Sequence, residues 1–314
     1  MFSKILQNYS SSNIKNDVLS GIVVAVALVP EAIAFSIIAH VNPLVGLYTA
    51  FILGLITALF GGKPGMISGA TGSVAVVMVA LVAQYGVEYL FWATIFAGII
   101  QILVGVFKLA KFIRLVPQPV MFGFVNGLAI IIALAQLPMF EGESIIMYLL
   151  VAGTMAIMYF FPKFTTALPA GLVAIVVITL VVLGFHIDTK TVGDLADISG
   201  DLPSFHFPLA PLNLETFQII LPFSIIMALV GLIESLLTLE VIEEMSGTRG
   251  YGNKEAIALG AGNTTCGFFG GMAGCAMIGQ SVINYTSGGR GRLSGVIAAI
   301  LLLLFVVSLS DIIA

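Results

Sequence analysis

The stretch SGATGS, at residues 68–73, interrupts an otherwise apolar chain, and GCAMIGQS, at residues 274–281, interrupts it a second time. Both stretches are short, polar and rich in glycine. Backbone N–H and C=O groups at membrane depth need hydrogen bonds or water, so such a break is tolerated where it lines a cavity. The two stretches therefore predict broken helices beside a binding site, and this favours transport.

The rest of the chain has the composition of a multi-pass membrane protein. Of its 314 residues, 59% are hydrophobic and only 9% are charged; the mean hydropathy is +1.13. About 20 apolar residues cross the hydrocarbon core of a bilayer. We count eleven apolar segments, of which the third, ninth and tenth are too short to span alone: 18–38, 46–60, 73–82, 90–107, 117–137, 145–161, 168–185, 217–239, 256–268, 280–287 and 293–309.

Several classes of protein find no support in the sequence. It contains no phosphate-cradling loop, no cluster with metal-ligand spacing and no basic patch with interleaved aromatic residues. ATP-driven transport and nucleic-acid binding are therefore unsupported, and no enzyme activity is predicted. Cys266 and Cys275 lie in apolar surroundings, and we expect both to be free thiols.

The basic residues predict the orientation of the chain. Placing the N-terminus inside and alternating sides leaves only Lys190 outside, as the positive-inside rule requires. We therefore expect a multi-pass protein of the cytoplasmic (inner) membrane with a cytoplasmic N-terminus. The cytoplasmic set contains the other eleven of the twelve basic residues: Lys4, Lys15, Lys63, Lys108, Lys111, Arg114, Lys163, Arg249, Lys254, Arg290 and Arg292.

Two carboxylates lie well inside apolar segments, Glu31 in LVPEAIAF and Glu234 in LIESLLTL. A charge there costs roughly 3 kcal/mol on insertion scales, so such residues usually face a wet cavity. Pro30 removes a backbone donor next to Glu31 and loosens the first span, which favours the cavity interpretation. The alternative is a protonated side chain that only ties helices together.

These features are spaced as an internal repeat. Glu31 and Glu234 are 203 residues apart, and Gly72 and Gln280 are 208 apart. In each half, a long segment with a buried glutamate precedes another apolar segment and then a glycine-rich break that leads into a short helix. Weak symmetry of this kind is typical of inverted-repeat secondary transporters, whose site lies at the repeat interface near the midplane.

The two breaks suggest anion chemistry. Each short helix, starting near Ser73 or near Gln280, presents unpaired N–H groups and the positive end of its dipole to the membrane centre. Two such ends at one cavity can bind an anion. The predicted contacts are glycines that allow close approach and side chains that donate hydrogen bonds: Gly69, Gly72, Gly279, Thr71, Ser73, Gln280 and Ser281.

The alternative for small residues is close helix packing. We adopt that interpretation for GLYTAFILG, at residues 46–54, and for AGIIQILVG, at residues 97–105, because their small residues follow helical spacing.

Several motifs, in order along the chain, resemble the SulP anion transporters, the microbial relatives of the solute carrier 26 exchangers. They are DVLSGIVVAVALVPEAIAFSIIA from residue 17, GLYTAFILGLITALFGG from 46, ISGATG from 67, PQPVMFGFVNG from 117, GLIESLLTLEVIEEMSGTRG from 231 and INYTSGGRGRLSG from 283. The resemblance implies an all-α polytopic membrane protein with the seven-plus-seven inverted-repeat, uracil-permease-like fold. About 11 of the 14 spans are present, with half-helices at spans three and ten.

The resemblance also implies a division into domains. The core would comprise residues 1–110 (spans 1–4) and 213–314 (spans 8–11), and residues 111–212 (spans 5–7) would form the first half of a gate. A repeat offset of roughly 205 residues predicts a second half that runs to about residue 410. The second half of the gate and a STAS domain are then absent from this chain, and we expect it to be a fragment or truncated product of a longer protein.

Individual residues follow from the same resemblance. The substrate pocket would contain Phe35, Thr71 and residues 278–281, which include Ile278. Glu234 and Thr238 match the positions that hold a coupling cation in sodium-dependent members, and Glu31 would add a titratable group for proton coupling. Gln280 departs from the animal relatives, which commonly carry an arginine there.

The sequence therefore predicts secondary active, elevator-type transport of an inorganic anion of the sulfate or bicarbonate class, by symport with H⁺ or Na⁺. No metal and no cofactor other than a coupling ion is implied, and the partners are the anion, the lipid bilayer and, as an open question, a second copy in a homodimer. Which anion and which coupling ion remain open. The alternatives are a nucleobase permease of the same fold and a membrane protein that does not transport.

Overall fold

The structure is a computed structural model that describes residues 11–113, 119–120, 123, 126–127, 129–130, 133–134, 137–165, 170–189 and 202–308. Over these residues the chain is mostly helical, with one small two-stranded sheet. The predicted span at 117–137 lies largely outside them.

One set of elements occurs twice, in the same order. The first set is α1 (Ser11–Ile38), α2 (Pro43–Phe60), β1 (Ser68–Ala70), α3 (Gly72–Tyr85) and α4 (Val87–Val106). A short helix α5 (Ala110–Ile113), a 3₁₀ helix (Leu137–Phe140) and the helices α6 (Ile145–Phe164) and α7 (Ala170–Gly184) follow. The second set is α8 (Leu214–Ser246), α9 (Gly252–Phe268), β2 (Gly274–Ala276), α10 (Ile278–Thr286) and α11 (Arg292–Ser308).

The equivalent strands of the two sets pair with each other. β1 and β2 are antiparallel, with Gly69 opposite Cys275 and Ser68 opposite Ala276. Antiparallel pairing of equivalent strands is consistent with repeats related by a two-fold axis, as the sequence spacing predicts. The polar stretches are thus more than interruptions of helices, because each one contributes a three-residue strand before the short helix begins.

Close backbone approach explains why this sheet contains glycine. A Cβ atom on Gly274 would lie 2.1 Å from the carbonyl oxygen of Gly69. Behind the sheet, the buried Asn263 side chain donates to Gly274 O at 3.0 Å and accepts from Gly274 N–H at 2.9 Å. Asn263 also donates to Gln101 Oε1 at 2.8 Å. The strand pair is therefore held by α9 as well as by its own ladder.

Small residues let α4 and α9 pack closely. A Cβ atom on Gly260 would lie 2.4 Å from Gly98 O, and one on Gly98 would lie 2.4 Å from Thr264 Oγ1. In the other predicted packing stretch, a Cβ atom on Gly46 would lie 2.4 Å from Ala32 O. Close packing of both stretches, 46–54 and 97–105, is confirmed.

Five of the described helices are long and apolar enough to cross a membrane: α1 from Asn13, α2, α4, α6 and α8. The longest is α8, whose 33 residues extend beyond the predicted segment 217–239. Its start is capped by Asn213, which accepts from Thr216 N–H at 2.8 Å, and its end by Gly247 in the left-handed conformation. The two caps set the ends of α8 outside the apolar segment. Helix capping depends on the local residues at each end and not on their hydropathy.

Polar contacts join the two sets at one end of the bundle. Arg292 donates to Ala58 O at 2.8 Å and to Gly61 O at 2.7 Å. Nearby, Lys63 Nζ donates to Ser246 Oγ at 2.7 Å and to Thr248 O at 2.6 Å. Burial lowers the pKa of Lys63. The basic residues at this end thus fasten the loop after α2 to the second set of elements.

Candidate functional site

The start of α3 carries a threonine that does not cap its own helix. Thr71 precedes the helix in an extended conformation, and its side chain makes no capping hydrogen bond. Its hydroxyl group instead lies 3.1 Å from Ser73 Oγ and 3.1 Å from Cys275 Sγ. The first-turn N–H groups of α3 therefore donate no hydrogen bond to the N-cap side chain.

The start of α10 is arranged in the same way. Met277 occupies the N-cap position and makes no side-chain cap. Its own N–H donates to Ile67 O at 2.9 Å, which ties this helix start to the residues before β1. Because β1 and β2 pair, the two uncapped helix starts lie on either side of the same small sheet.

A cavity of about 290 Å³ lies where these two helix starts meet α1 and α8. Ordered water occupies roughly 30 Å³ per molecule, so this space admits a small ion with part of its hydration shell. Its lining combines glycines, hydroxyl groups, apolar side chains, an amide and two carboxyl groups: Glu31, Phe35, Thr71, Gly72, Ser73, Glu234, Met277, Ile278, Gly279 and Gln280.

The structure thus brings most of the predicted site residues together. The predicted substrate contacts Phe35, Thr71, Gly72, Ser73, Ile278, Gly279 and Gln280 line one cavity, together with the predicted coupling residues Glu31 and Glu234. In the described part of the chain, Gly69, Ser281 and Thr238 do not line it.

The two hydroxyl groups outside the cavity, those of Ser281 and Thr238, form hydrogen bonds with backbone groups. Ser281 Oγ accepts from Ile67 N–H at 2.9 Å, and the residue is fully buried. Thr238 Oγ1 donates to Glu234 O at 2.8 Å and to Ala276 O at 3.2 Å. Gly69 lies inside β1, opposite Cys275. These three residues fix the framework behind the cavity.

Glu234 is held by donors from both repeats. The Ser73 hydroxyl group donates to Glu234 Oε2, and the Cys275 thiol donates to the same oxygen at 3.1 Å. One carboxyl group from α8 therefore contacts the start of α3 and the strand that precedes α10.

Gln280 places a buried, incompletely bonded amide at the cavity. Its side chain is only 1% exposed, and among the described residues neither Nε2 nor Oε1 has a hydrogen-bond partner of regular geometry. The carboxyl group of Glu31 does interact with this side chain. A buried amide without regular partners is costly, so a ligand that bonded to it would relieve this cost.

The charges around the cavity need compensation. Among the described residues, its lining includes two carboxyl groups and no lysine or arginine. Positive potential comes from the starts of α3 and α10, each equivalent to roughly half an elementary charge. An anion can therefore bind at the helix starts when the neighbouring carboxyl groups are protonated or paired with a cation.

Sequence reasoning missed two residues of the site. Cys275 and Met277 both lie in the second polar stretch; Cys275 contacts Thr71 and Glu234, and Met277 lines the cavity. The thiol at Cys275 is free, as predicted. It is buried in the apolar core and also contacts the polar groups of Thr71 and Glu234. Its register opposite Gly69 depends on strand pairing between distant parts of the chain, which no local pattern indicates.

Comparison with known families gives a match over nearly the whole chain. The model of the sulfate permease family matches residues 14–147 and 143–314. The putative sulfate transporter YbaR of Bacillus subtilis is 56% identical over 301 residues, which cover 96% of this chain and 63% of the relative. The bicarbonate transporter BicA of Picosynechococcus is 33% identical over 337 residues, which cover 96% of this chain and 59% of the relative. The chain thus spans about three fifths of the length of these curated relatives.

Solved structures show the same fold. The transmembrane domain of a cyanobacterial bicarbonate transporter BicA superposes with a TM-score of 0.83 at 28% identity, covering 98% of this chain and 86% of that domain. Murine Solute Carrier 26 family member A9, in its inward-facing state, superposes with a TM-score of 0.80 at 16% identity over 99% of this chain and 59% of its own. The second likeness concerns the fold alone. These matches confirm the predicted family resemblance and the membrane fold to which it pointed.

Proposed function

Since the chain belongs to the sulfate permease family, we propose that it forms the substrate-binding part of a secondary active transporter for an inorganic anion of the sulfate or bicarbonate class. The names of the relatives in Bacillus subtilis and Picosynechococcus support this class of substrate. The protein is a multi-pass membrane protein. We place it in the cytoplasmic membrane with the N-terminus inside, which the distribution of its lysine and arginine residues supports.

One observation carries the proposal: two helix starts without side-chain caps meet at one cavity. Free N–H groups and helix dipoles at such starts bind anions. In this proposal, Gly72 and Gly279 allow the backbone to approach the anion, while Thr71 and Gln280 donate hydrogen bonds. Ser73 donates to the anion when its hydroxyl group turns away from Glu234 Oε2. Phe35 and Ile278 form the apolar wall.

Three further predicted contacts act indirectly. Gly69 and Ser281 position the two helix starts through β1 and through the backbone of Ile67. Thr238 positions β2 through Ala276 O. We propose framework roles for these residues rather than direct contacts with the anion or with a coupling cation.

The carboxyl groups supply the coupling in this proposal. An anion and two carboxylates repel one another in a site of low dielectric constant. Binding is therefore expected to require a proton on Glu31 or Glu234, or a Na⁺ ion beside them. Co-transport with H⁺ or Na⁺ is the mechanism that this arrangement favours.

The movement that we propose is of the elevator type. Residues 1–110 and 213–314 would form the moving core, and residues 111–212 would belong to the gate. The pairing of β1 with β2 and the close packing of α4 on α9 support a single core body. In contrast, the apolar window of α6 has no buried residue.

Binding of labelled sulfate and bicarbonate to the purified chain tests the substrate site. At Gly279 an added Cβ atom meets no heavy atom within 4 Å, so Gly279→Leu should place its side chain in the cavity without displacing the fold. We expect a loss of anion binding of about tenfold or more, since a blocked approach removes several N–H contacts. Gly184→Leu is the matched control, because a Cβ atom at Gly184 also meets nothing within 4 Å.

The same assay separates the alternatives. Displacement of bound anion by uracil, or binding of uracil in its place, would favour a nucleobase permease. Anion binding without uptake into proteoliposomes, under imposed H⁺ or Na⁺ gradients, would indicate that this chain alone does not transport. Anion binding that is equal in wild type and Gly279→Leu would contradict the proposed site.

A further inference from the structure

A second cavity lies at the end of the bundle where α2 and α4 end and α9 begins. Its volume is about 530 Å³, and its walls include Ile56, Phe60, Val106 and Ile257. Three of these side chains remain substantially exposed: Phe60 by 44%, Val106 by 55% and Ile257 by 38%. The groove therefore presents an apolar surface to the surroundings of the helix bundle.

Two ammonium groups lie at this apolar groove. Lys108 and Lys254 both line it, and both are exposed. They belong to different repeats, since Lys108 follows α4 and Lys254 lies in the first turn of α9. No carboxyl group lines the groove in the described part of the chain.

The backbone holds these lysines at the same place. Lys108 has a φ of 58°, and its N–H donates to Gly105 O at 3.1 Å, so it terminates α4. Asn253 then accepts from Ala110 N–H at 3.2 Å, which ties the chain after Lys108 to the start of α9. The backbone positions that carry the two ammonium groups are consequently held at one groove.

Neighbouring charges leave the groove positive. Lys254 is repelled by Arg292 and attracted by Glu255. The carboxyl group of Glu255 is buried and accepts from Gly62 N–H at 2.6 Å. It does not line the groove, and it is one buried carboxyl group beside Lys254 and Arg292. The exposed ammonium groups therefore favour an anionic partner.

We propose that this groove binds one anionic phospholipid of the surrounding bilayer. Its phosphate lies between Lys108 and Lys254, and an acyl chain lies along Phe60, Val106 and Ile257. The two ammonium groups bind the anionic headgroup by charge complementarity, and the exposed apolar side chains contact the acyl chain. The positive-inside rule assigns this lysine-rich end to the cytoplasmic leaflet, whose anionic lipids attract basic side chains.

Native mass spectrometry of the purified 314-residue chain tests this site. The chain is titrated with phosphatidylglycerol and, in parallel, with phosphatidylcholine of the same acyl chains. We expect one phosphatidylglycerol to bind tightly and phosphatidylcholine to bind weakly. Lys108→Gly combined with Lys254→Gln should weaken phosphatidylglycerol binding roughly 25-fold, since each lysine near an anionic lipid contributes a factor of about five.

The chain offers matched controls. Glycine adopts the left-handed backbone of residue 108 readily, so Lys108→Gly removes the charge without straining the fold. Lys111 is nearby but does not line the groove, and Lys111→Gln should leave lipid binding unchanged. Ala261→Phe fills the apolar part and should weaken binding of phosphatidylglycerol with both lysines in place.

The possible outcomes decide between ligands. Competition by inorganic phosphate at the same concentration would show a simple phosphate site and overturn the proposal. Equal affinity for the two lipids, or an equal loss in Lys111→Gln and in the double variant, would overturn it as well. Selective loss in the double variant and in Ala261→Phe would support it.

Discussion

At the scale of single residues, Glu234 connects three elements through one oxygen atom. Its Oε2 accepts from the Ser73 hydroxyl group at the start of α3 and from the Cys275 thiol in β2. Donors of this kind stabilise the ionised form of a carboxyl group, whereas burial in a low-dielectric site opposes it. In the proposed mechanism, this balance would make the protonation state of Glu234 depend on the ion bound in the cavity.

Replacing Glu234 with glutamine tests this coupling. The amide keeps the size of the side chain but neither ionises nor requires a counter-ion. We expect anion binding by Glu234→Gln to lose its dependence on Na⁺ or on pH, as measured by equilibrium binding of labelled anion across both ion series.

Glu244→Gln is the matched control, since Glu244 is an exposed carboxyl group near the end of the same helix. Unchanged ion dependence in Glu234→Gln would show that coupling lies elsewhere, with Glu31 as the next residue to replace.

Sequence reasoning found the cavity residues that stand out locally. Thr71 and Gln280 are polar in apolar surroundings, and Glu31 and Glu234 are charges inside spans. The sequence does not show which hydroxyl groups form hydrogen bonds with the backbone instead of facing the cavity. Ser281 and Thr238 turn away to Ile67 and Ala276, and that choice depends on tertiary register.

At the scale of elements, the strand pair depends on one side chain of α9. Asn263 bonds both the N–H and the C=O group of Gly274 and also reaches Gln101. The residue is fully buried, so no water replaces these bonds without rearrangement.

Asn263→Ala should therefore destabilise the protein. Each buried polar group left without a partner costs about 1–3 kcal/mol. This variant removes the hydrogen-bond partner of Gly274 N–H, Gly274 O and Gln101 Oε1. We expect a clearly lower midpoint of thermal unfolding in detergent, together with weaker anion binding.

Thr265→Ala serves as the comparison, since in the described part of the chain Thr265 Oγ1 bonds only Ala261 O, within the same helix, at 2.8 Å. A midpoint that falls equally in both variants would contradict the special role of Asn263.

The helices were predictable because hydrophobic runs of sufficient length determine them. Their order in two repeats also followed from the spacing of glutamates and breaks. The strands were not predictable, since residues 68–70 and 274–276 are made of small residues without β-propensity. Their conformation comes from pairing across about 200 residues of sequence, where Gly69 meets Cys275.

At the scale of the whole molecule, packing is uneven. Half or more of the apolar windows of α1, α2 and α4 are buried, namely 50%, 56% and 56%, whereas the window of α6 is 0% buried. Because no residue of that window is buried, the hydrogen bonds of α6 have little tertiary support in the described part of the chain. Local opening is easiest where few apolar contacts must break.

Hydrogen–deuterium exchange of the purified chain should reproduce this difference. We expect peptides from α6 to exchange at least about tenfold faster than peptides from α4 and α9, because a higher opening free energy slows exchange. Peptides from α2 provide an internal reference in the same detergent. Equal protection of α6 and α4 would indicate that α6 is covered in solution, for example by a second copy of the chain.

The hydrogen bonds between β1 and β2 join the starts of α3 and α10 into one rigid unit. In a transporter built this way, the ligand cradle does not have to be dismantled and rebuilt on the opposite face of the membrane. The anion then has the same intrinsic affinity on both sides, so the cradle itself has no preferred direction. In the proposed mechanism, net flux would be set by the gradients of the anion and of the coupling ion, and reversing either gradient should be able to reverse the transport.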